Sequence, residues 1–355
     1  MKHWGKLLAG IVITVLMLWW ALAGVAFADV WANIRTGNPW LLLASVSVAT
    51  FGFFLRALRW KILLAPVKPD TKLRSRFAGV SIGFMANNIL PARVGEFARA
   101  YAFSRLEPVT ASAAFGTLVV ERFMDGVVLL LFLVLPIFAP SFPSDGALAS
   151  GTGGRVLRAG VAAVGVVLLA LVIMAVWPRA FVRVAHGVAR FLPKSLTTPV
   201  LSGLDAFLGS IAIMRDPKLL ALGFVWTLLF WSWHGISFWL GMLAFGIDTG
   251  FVSAIFTEAV VGFGVALPSA PGFFGTFHFA ANVALHDVYG VNEAQSLAFA
   301  FGYHFGGWIP ITFIGLWYAW KLGFSLGEVG AAEERVEAAV AQETQEVGPT
   351  RAGEA

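Results

Sequence analysis

The residues of this chain best suited to chemistry are few, and most interrupt apolar runs. Asn87, Asn88, Arg93, Glu96 and Arg99 gather around Pro91. Proline suits the first turn of a helix, so the backbone N–H groups after Leu90 are placed to face an anion. Arg93 adds a planar fork that matches phosphate, and Glu96 lies three residues from each arginine, close enough on a helix to hold both. The plainer reading makes Arg93 and Arg99 markers of a cytoplasmic helix end, with Glu96 paired to one of them. The coincidence of two arginines, two amides and a helix break favours the five as a substrate-binding group.

Three further sets stand apart. Glu121 and Asp125 share a helix face, and Arg122 is three residues from Asp125, so the trio either lines a wet path or forms a buried bridge that fixes packing. Arg56 and Arg59 close an apolar run, where snorkelling or lipid headgroup contact is expected. Glu258, His278 and His304 lie in apolar surroundings; a glutamate with two histidines suits a proton relay or a metal. No HExxH-like pairing supports a metal, so hydrogen bonding within the fold is the default for each histidine, and neither a catalytic residue nor a cofactor is expected.

The elements that must position these groups are membrane helices. Of the 355 residues, 58% are hydrophobic and 13% charged, about half the charge usage of an ordinary soluble domain, roughly 25%. Six runs are long enough to cross about 30 Å of hydrocarbon: Leu7 to Ala28, Trp40 to Leu64, Ala113 to Ala139, Ala159 to Trp177, Leu219 to Phe245 and Ser296 to Trp320. The first resembles a signal peptide but is longer than a typical h-region, so an uncleaved span is expected. Two other segments are broken. Ala78 to Tyr101 is interrupted around Pro91 and Gly95, and Phe251 to Ala284 around Pro268, Pro271, Gly272 and Gly275. Proline lacks the N–H and glycine is permissive, so a continuous helix through either is costly. Irregular backbone at membrane depth must be buried in protein or line a cavity, and paired interruptions in two halves point to a transport site on inverted repeats.

Basic residues set the orientation. Lys2 and Lys6, the stretch from Lys61 to Arg76, that from Arg179 to Lys194, and Lys321 all fall on one side, which places both termini in the cytoplasm. Residues 179–215 read as an amphipathic segment on the cytoplasmic leaflet. The net charge of +5 conceals a division: from Glu328 to Ala355 seven acids face two arginines, minus five, which leaves plus ten on the body. That acidic tail, part of 323–355, is expected to be disordered or a solvated helical appendage. The absence of cysteine excludes disulfides, thiolate metal sites and a catalytic thiol.

The order Arg56-Ala57-Leu58-Arg59-Trp60, Leu90-Pro91-Ala92-Arg93-Val94-Gly95-Glu96, Glu121-Arg122-Phe123-Met124-Asp125 and Pro271-Gly272-Phe273-Phe274-Gly275 resembles the flippase-like transmembrane domain of lysylphosphatidylglycerol synthases. The likeness covers about Lys6 to Lys321. It implies movement of phospholipids or lipid-linked molecules between leaflets of a bacterial inner membrane. Two departures matter: no large soluble aminoacyl-transferring domain follows Lys321, so lysyl transfer is not expected, and His278 stands where many relatives carry an acid.

The expectation is therefore an all-α polytopic membrane protein, about six transmembrane helices plus two broken or re-entrant segments, with the transmembrane domain over 1–322 and the tail over 323–355. It is read as a non-enzymatic lipid flippase or transporter acting on anionic or phosphate-bearing lipids, with no nucleic-acid partner. Arg56, Arg59, Glu121, Arg122, Asp125, Glu258, His278, His304, Pro268, Pro271, Gly272 and Gly275 support or gate the path. The alternatives are a membrane-embedded transferase or hydrolase, and a non-transporting partner of a lipid-modifying enzyme.

Overall fold

The computed structural model describes residues 2–22, 24–90, 93–143, 216–266 and 270–347, and Gly187. Every regular element among them is helical. The expected span Ala159 to Trp177 lies outside the described residues, as does the amphipathic segment 179–215 apart from Gly187.

Among the described residues three helices have the length and composition to cross a bilayer: α3 (Pro39–Leu64), α7 (Pro217–Ala244) and α10 (Glu293–Lys321). Each starts where a side chain accepts from otherwise unpaired first-turn N–H groups, namely Asn38 from Trp40 and Leu41, Asp216 from Lys218, and Asn292 from Gln295. Their outer faces are apolar, with Trp40, Leu229 and Phe313 exposed to the surroundings. At the core the helices approach closely. Ser45 and Ser237 each donate to the other's carbonyl, at 2.7 and 2.9 Å, and Tyr303 meets the Ser237 hydroxyl at 3.0 Å. A Cβ on Gly241 would lie 2.7 Å from the Tyr303 ring, so only the smallest residue permits the crossing.

The expected span from Leu7 to Ala28 is instead α1 (Lys2–Leu22) followed by α2 (Phe27–Thr36), with an 82° bend between Ile11–Leu22 and Phe27–Thr36. Gly24, at φ 93°, allows the turn. If the bent pair is one span, the candidate crossings among the described residues rise from three to four; one of the six expected lies outside those residues. The run Ala113 to Ala139 is α6 (Ala111–Val134) with a 3-10 turn at Leu135–Phe138. It is long enough to span, but Glu121, Arg122 and Asp125 give it three charges.

The two interrupted segments are broken as expected. The first runs as α4 (Leu73–Ile89) and α5 (Gly95–Leu106), which pack on each other, with α4 also against α10. The second is α8 (Gly250–Gly264), a 3-10 turn at Pro271–Phe273, α9 (Thr276–Asn282) and a π-helical turn at Val283–Val288. Thr14 of α1 pins this second break. Its hydroxyl donates to the Phe274 carbonyl at 2.9 Å and accepts from the Ala270 N–H at 3.0 Å.

The tail departs from expectation. It forms α11 (Leu326–Gly330) and α12 (Ala332–Val347), started by a Ser325–Glu328 capping box. Val329, Ala332 and Val336 are buried in the same core as Tyr101 and Phe324, and Arg335 donates to the Tyr101 hydroxyl. Apolar residues at helical spacing within an acidic sequence supply the docking face; composition alone hid them.

Candidate functional site

The densest chemistry is an ionic node joining α3, α5, α6 and α7. Glu121 receives Arg99 through both guanidinium nitrogens at 2.8 and 2.9 Å, Arg56 at 2.8 Å and Arg122 at 2.7 Å. Asp125 receives Arg59 at 2.5 Å and the Trp231 indole N–H at 2.9 Å, and lies 3.0 Å from Arg122. Arg59 also donates to Thr227 at 3.1 Å, and Arg99 stacks on Trp60 at 3.9 Å. Four arginines thus surround two carboxylates. Bidentate pairing and ring stacking are what make burial of guanidinium groups tolerable.

This node changes several expectations. Arg56 and Arg59 do not snorkel: they are 4% and 0% exposed, because carboxylates on α6 offer better partners than the interface. Arg99 does not stand beside Arg93 as a phosphate fork, since Glu121 takes both of its outer nitrogens. Glu96 approaches Arg122, at 3.9 Å, rather than bracing Arg93 and Arg99 as a pair. Arg122 is the most open member, with its side chain 40% exposed.

The asparagines build the first break. Asn87 accepts from the Gly95 N–H at 2.8 Å, folding the chain back on itself, and its side chain occupies the space a Cβ on Gly95 would need. Asn88 donates to Thr312 of α10 at 2.8 Å and presents its other side to a cavity. Arg93, at φ 56°, reaches across to the second break: it donates to the Ala266 carbonyl at 2.6 Å and lies over the Phe273 ring at 5.2 Å. Pro91 and Pro268 lie outside the described residues. Pro271 opens the 3-10 turn, and Gly272 and Gly275 take φ of 74° and 87°. A Cβ on Gly272 would sit 2.8 Å from the Trp308 indole nitrogen, so glycine is required twice over.

Between the breaks lies a cavity of about 190 Å³. Aromatic rings dominate its walls, including Phe53, Phe84, Phe273, Phe277 and Trp308, and its polar atoms come from Asn88, His234, Glu258, Tyr303 and His304. Glu258, 1% exposed, meets His234 Nδ1 at 2.7 Å through one oxygen. Its Oε2, the His304 Nδ1 and the Trp308 indole N–H have no hydrogen-bond partner among the described residues. His278 lies beside His304, with ring centroids 5.1 Å apart, and accepts from the Gly275 N–H at 3.3 Å. Of the expected trio, His278 and His304 meet edge to face, and Glu258, which lines the same cavity as His304, takes its hydrogen-bond partner from another helix. No group of three potential metal ligands forms among the described residues. His234 was missed in the sequence, although an ionisable residue within the apolar run from Leu219 to Phe245 was the available signal.

The sequence profile of the lysylphosphatidylglycerol synthase TM region matches residues 7–315. The chain belongs to that family. It is 24% identical to a UPF0104 membrane protein of Methanothermobacter thermautotrophicus over 270 residues, 71% of this chain and 75% of that protein. A second UPF0104 protein of the same organism is 26% identical over 261 residues, 70% of this chain and 75% of the relative. The glycosyltransferase AglD of Haloferax volcanii is 24% identical over 317 residues, 83% of this chain but 51% of AglD, so the chain spans about half of that enzyme. No solved structure matches significantly. As a member of the lysylphosphatidylglycerol synthase TM family the chain is a membrane-embedded helical protein. The profile spans the ionic node, both breaks and the cavity between them, and stops short of the docked tail.

Proposed function

We propose that this protein carries a lipid between membrane leaflets, with the cavity between the two breaks as its binding site. The observation that carries this reading is the Arg93–Ala266 hydrogen bond, which joins the two irregular segments beside a cavity lined by Asn88, Val265 and Phe273. Non-helical backbone inside a membrane is expected where a path or pocket needs polar groups. Aromatic walls suit an acyl chain or the glycerol region, while Asn88, His234 and Glu258 suit a polar headgroup.

A phosphate would meet the guanidinium groups at the rim. Arg93 already donates to the Ala266 carbonyl beside the cavity, and Arg122 is close enough to act on it electrostatically. Arg56, Arg59 and Arg99 serve the same site indirectly by fixing Glu121 and Asp125, which orient Arg122. In the cell the basic loops would face the cytoplasm and the cavity would lie within the plasma membrane.

Reconstitution tests this reading. Purified protein in vesicles containing a trace of fluorescent phosphatidylglycerol should expose inner-leaflet label to an external quencher faster than protein-free vesicles. No acceleration for phosphatidylglycerol, phosphatidylethanolamine or a glycolipid would overturn it. The likeness to a glycosyltransferase supports a second reading, an enzyme that acts on its lipid. Product analysis of the same vesicles, with lipid consumed rather than moved, would favour an enzyme.

A further inference from the structure

Among the described residues Glu258 is the only carboxylate lining the cavity. The charged node does not need it, since Glu121 and Asp125 already hold the arginines. It spans no helix pair as an ion bridge to Lys or Arg; its partner is His234, one-quarter exposed, on α7. Its second oxygen is buried without a hydrogen bond.

Among the described residues, those packed around it are mostly uncharged. α6 meets α8 through Leu129 against Gly262 and through Val128, Phe132 and Ala259, all apolar. The 3-10 and π-helical turns bring Phe142 and Tyr289 against Phe256. α9 brings His278, α10 brings Tyr303 and His304, and α4 brings Asn88. Tyr303 is committed to Ser237 at 3.0 Å. The nearest fixed charge by connection is Asp125, behind the Trp231 indole. No lysine or arginine among the described residues lines the cavity.

We infer that the Glu258–His234 pair is a proton-binding site whose loading is tied to occupancy of the cavity. The balance is simple. A carboxylate bonded to a neutral imidazole carries minus one, and one proton taken from water at the exposed edge of His234 brings the pair to zero. While water fills the cavity it solvates the pair through the exposed edge of His234. When an acyl chain or uncharged group displaces that water, net charge on the pair in an apolar enclosure is strongly disfavoured, so filling requires the proton and emptying returns it. On the lipid-carrier reading above, on which the coupling rests, passage then responds to a pH difference across the membrane.

Two measurements separate this inference from that reading. First, phosphatidylglycerol is added to the protein in weakly buffered nonionic micelles containing a pH indicator. The native protein should take up close to one proton per molecule bound, Glu258→Gln none, and Glu258→Asp a reduced amount, with all three eluting as single species. Second, in vesicles of phosphatidylethanolamine and phosphatidylglycerol, reversing an imposed pH gradient should change the rate of lipid movement several-fold for the native protein and not for Glu258→Gln. Uptake unchanged in Glu258→Gln, or no uptake by the native protein, overturns the proton site even if lipid moves. Equal rates in both gradient directions overturn the coupling. Absence of all lipid movement removes the carrier reading, and the micelle measurement then decides the proton site alone.

Discussion

Arg93 and Ala266 lie 173 positions apart, yet the Arg93 guanidinium donates to the Ala266 carbonyl at 2.6 Å. One side chain thereby spans both interruptions. A hydrogen bond from a charged group contributes about 1.5–3 kcal/mol. Arg93→Ala should therefore slow lipid movement by about tenfold or more while the protein still inserts and elutes as a single species. Arg93→Lys, which keeps the charge but loses the fork, should retain an intermediate rate. A native rate for Arg93→Ala in the quencher assay would show that the junction is dispensable.

The ionic node should respond unevenly to its own substitutions. Glu121 faces four arginines, so Glu121→Gln leaves buried positive charge uncompensated and should cost about 3–5 kcal/mol. Arg56→Met removes one charge from a surplus and should cost clearly less. Thermal unfolding in detergent, followed by tryptophan fluorescence, compares the two. Equal losses would mean that packing and not charge balance governs the node.

Thr14 holds both sides of the second break with one hydroxyl. Thr14→Val preserves shape and removes both bonds, an expected loss of about 1–3 kcal/mol. Thr14→Ser should recover most of it. Cleavage near Ala270 by an added protease reports the loosening, and unchanged protection in Thr14→Val would count against the pin.

The docked tail gives two linked expectations. Val336 is fully buried, so Val336→Asp should release α12 and expose it to protease without unfolding the body. The Ser325 N–H and hydroxyl hold the Glu328 carboxyl below its ordinary range. A depressed carboxyl contributes stability above its unfolded pKa, about 4.3, and loses it as the pH falls through the lower folded value. Release of the native tail should therefore rise under mild acid below that range, and Glu328→Gln should lose this component of the pH response.

Orientation can be read with single cysteines, since the chain has none of its own. Arg74 and Asp287 are both exposed, whereas Arg76 is buried and would label poorly. Arg74→Cys should react from the cytoplasmic side and Asp287→Cys from the outer side. Labelling of both from one side would overturn the arrangement of the breaks.

What the sequence disclosed depended on distance along the chain. The grouping of Glu121, Arg122 and Asp125 was legible because helical spacing puts them on one face, and the breaks were legible because proline and glycine act locally. The partners of Arg56 and Arg59 were not, since Glu121 and Asp125 are 65 or more positions away, and an arginine near the end of an apolar run looks the same whether it faces lipid headgroups or a buried acid. Arg99 was misassigned for the same reason. The Glu258–His234 pair joins two helices across a gap in sequence that no periodicity encodes.

The bond from Thr14 to Phe274 also bears on how the protein is made. Their separation is 260 residues, which at about 5–20 residues per second is some tens of seconds of synthesis. The first helix to emerge must wait that long beside the growing bundle for the backbone it will hold. A threonine hydroxyl tolerates the wait, because within a helix it can bond to a carbonyl one turn earlier and exchange that bond for Phe274 once the later segment arrives. The helix that carries Thr14 thus enters the membrane with this contact unfinished, and the segment around Phe274 completes it.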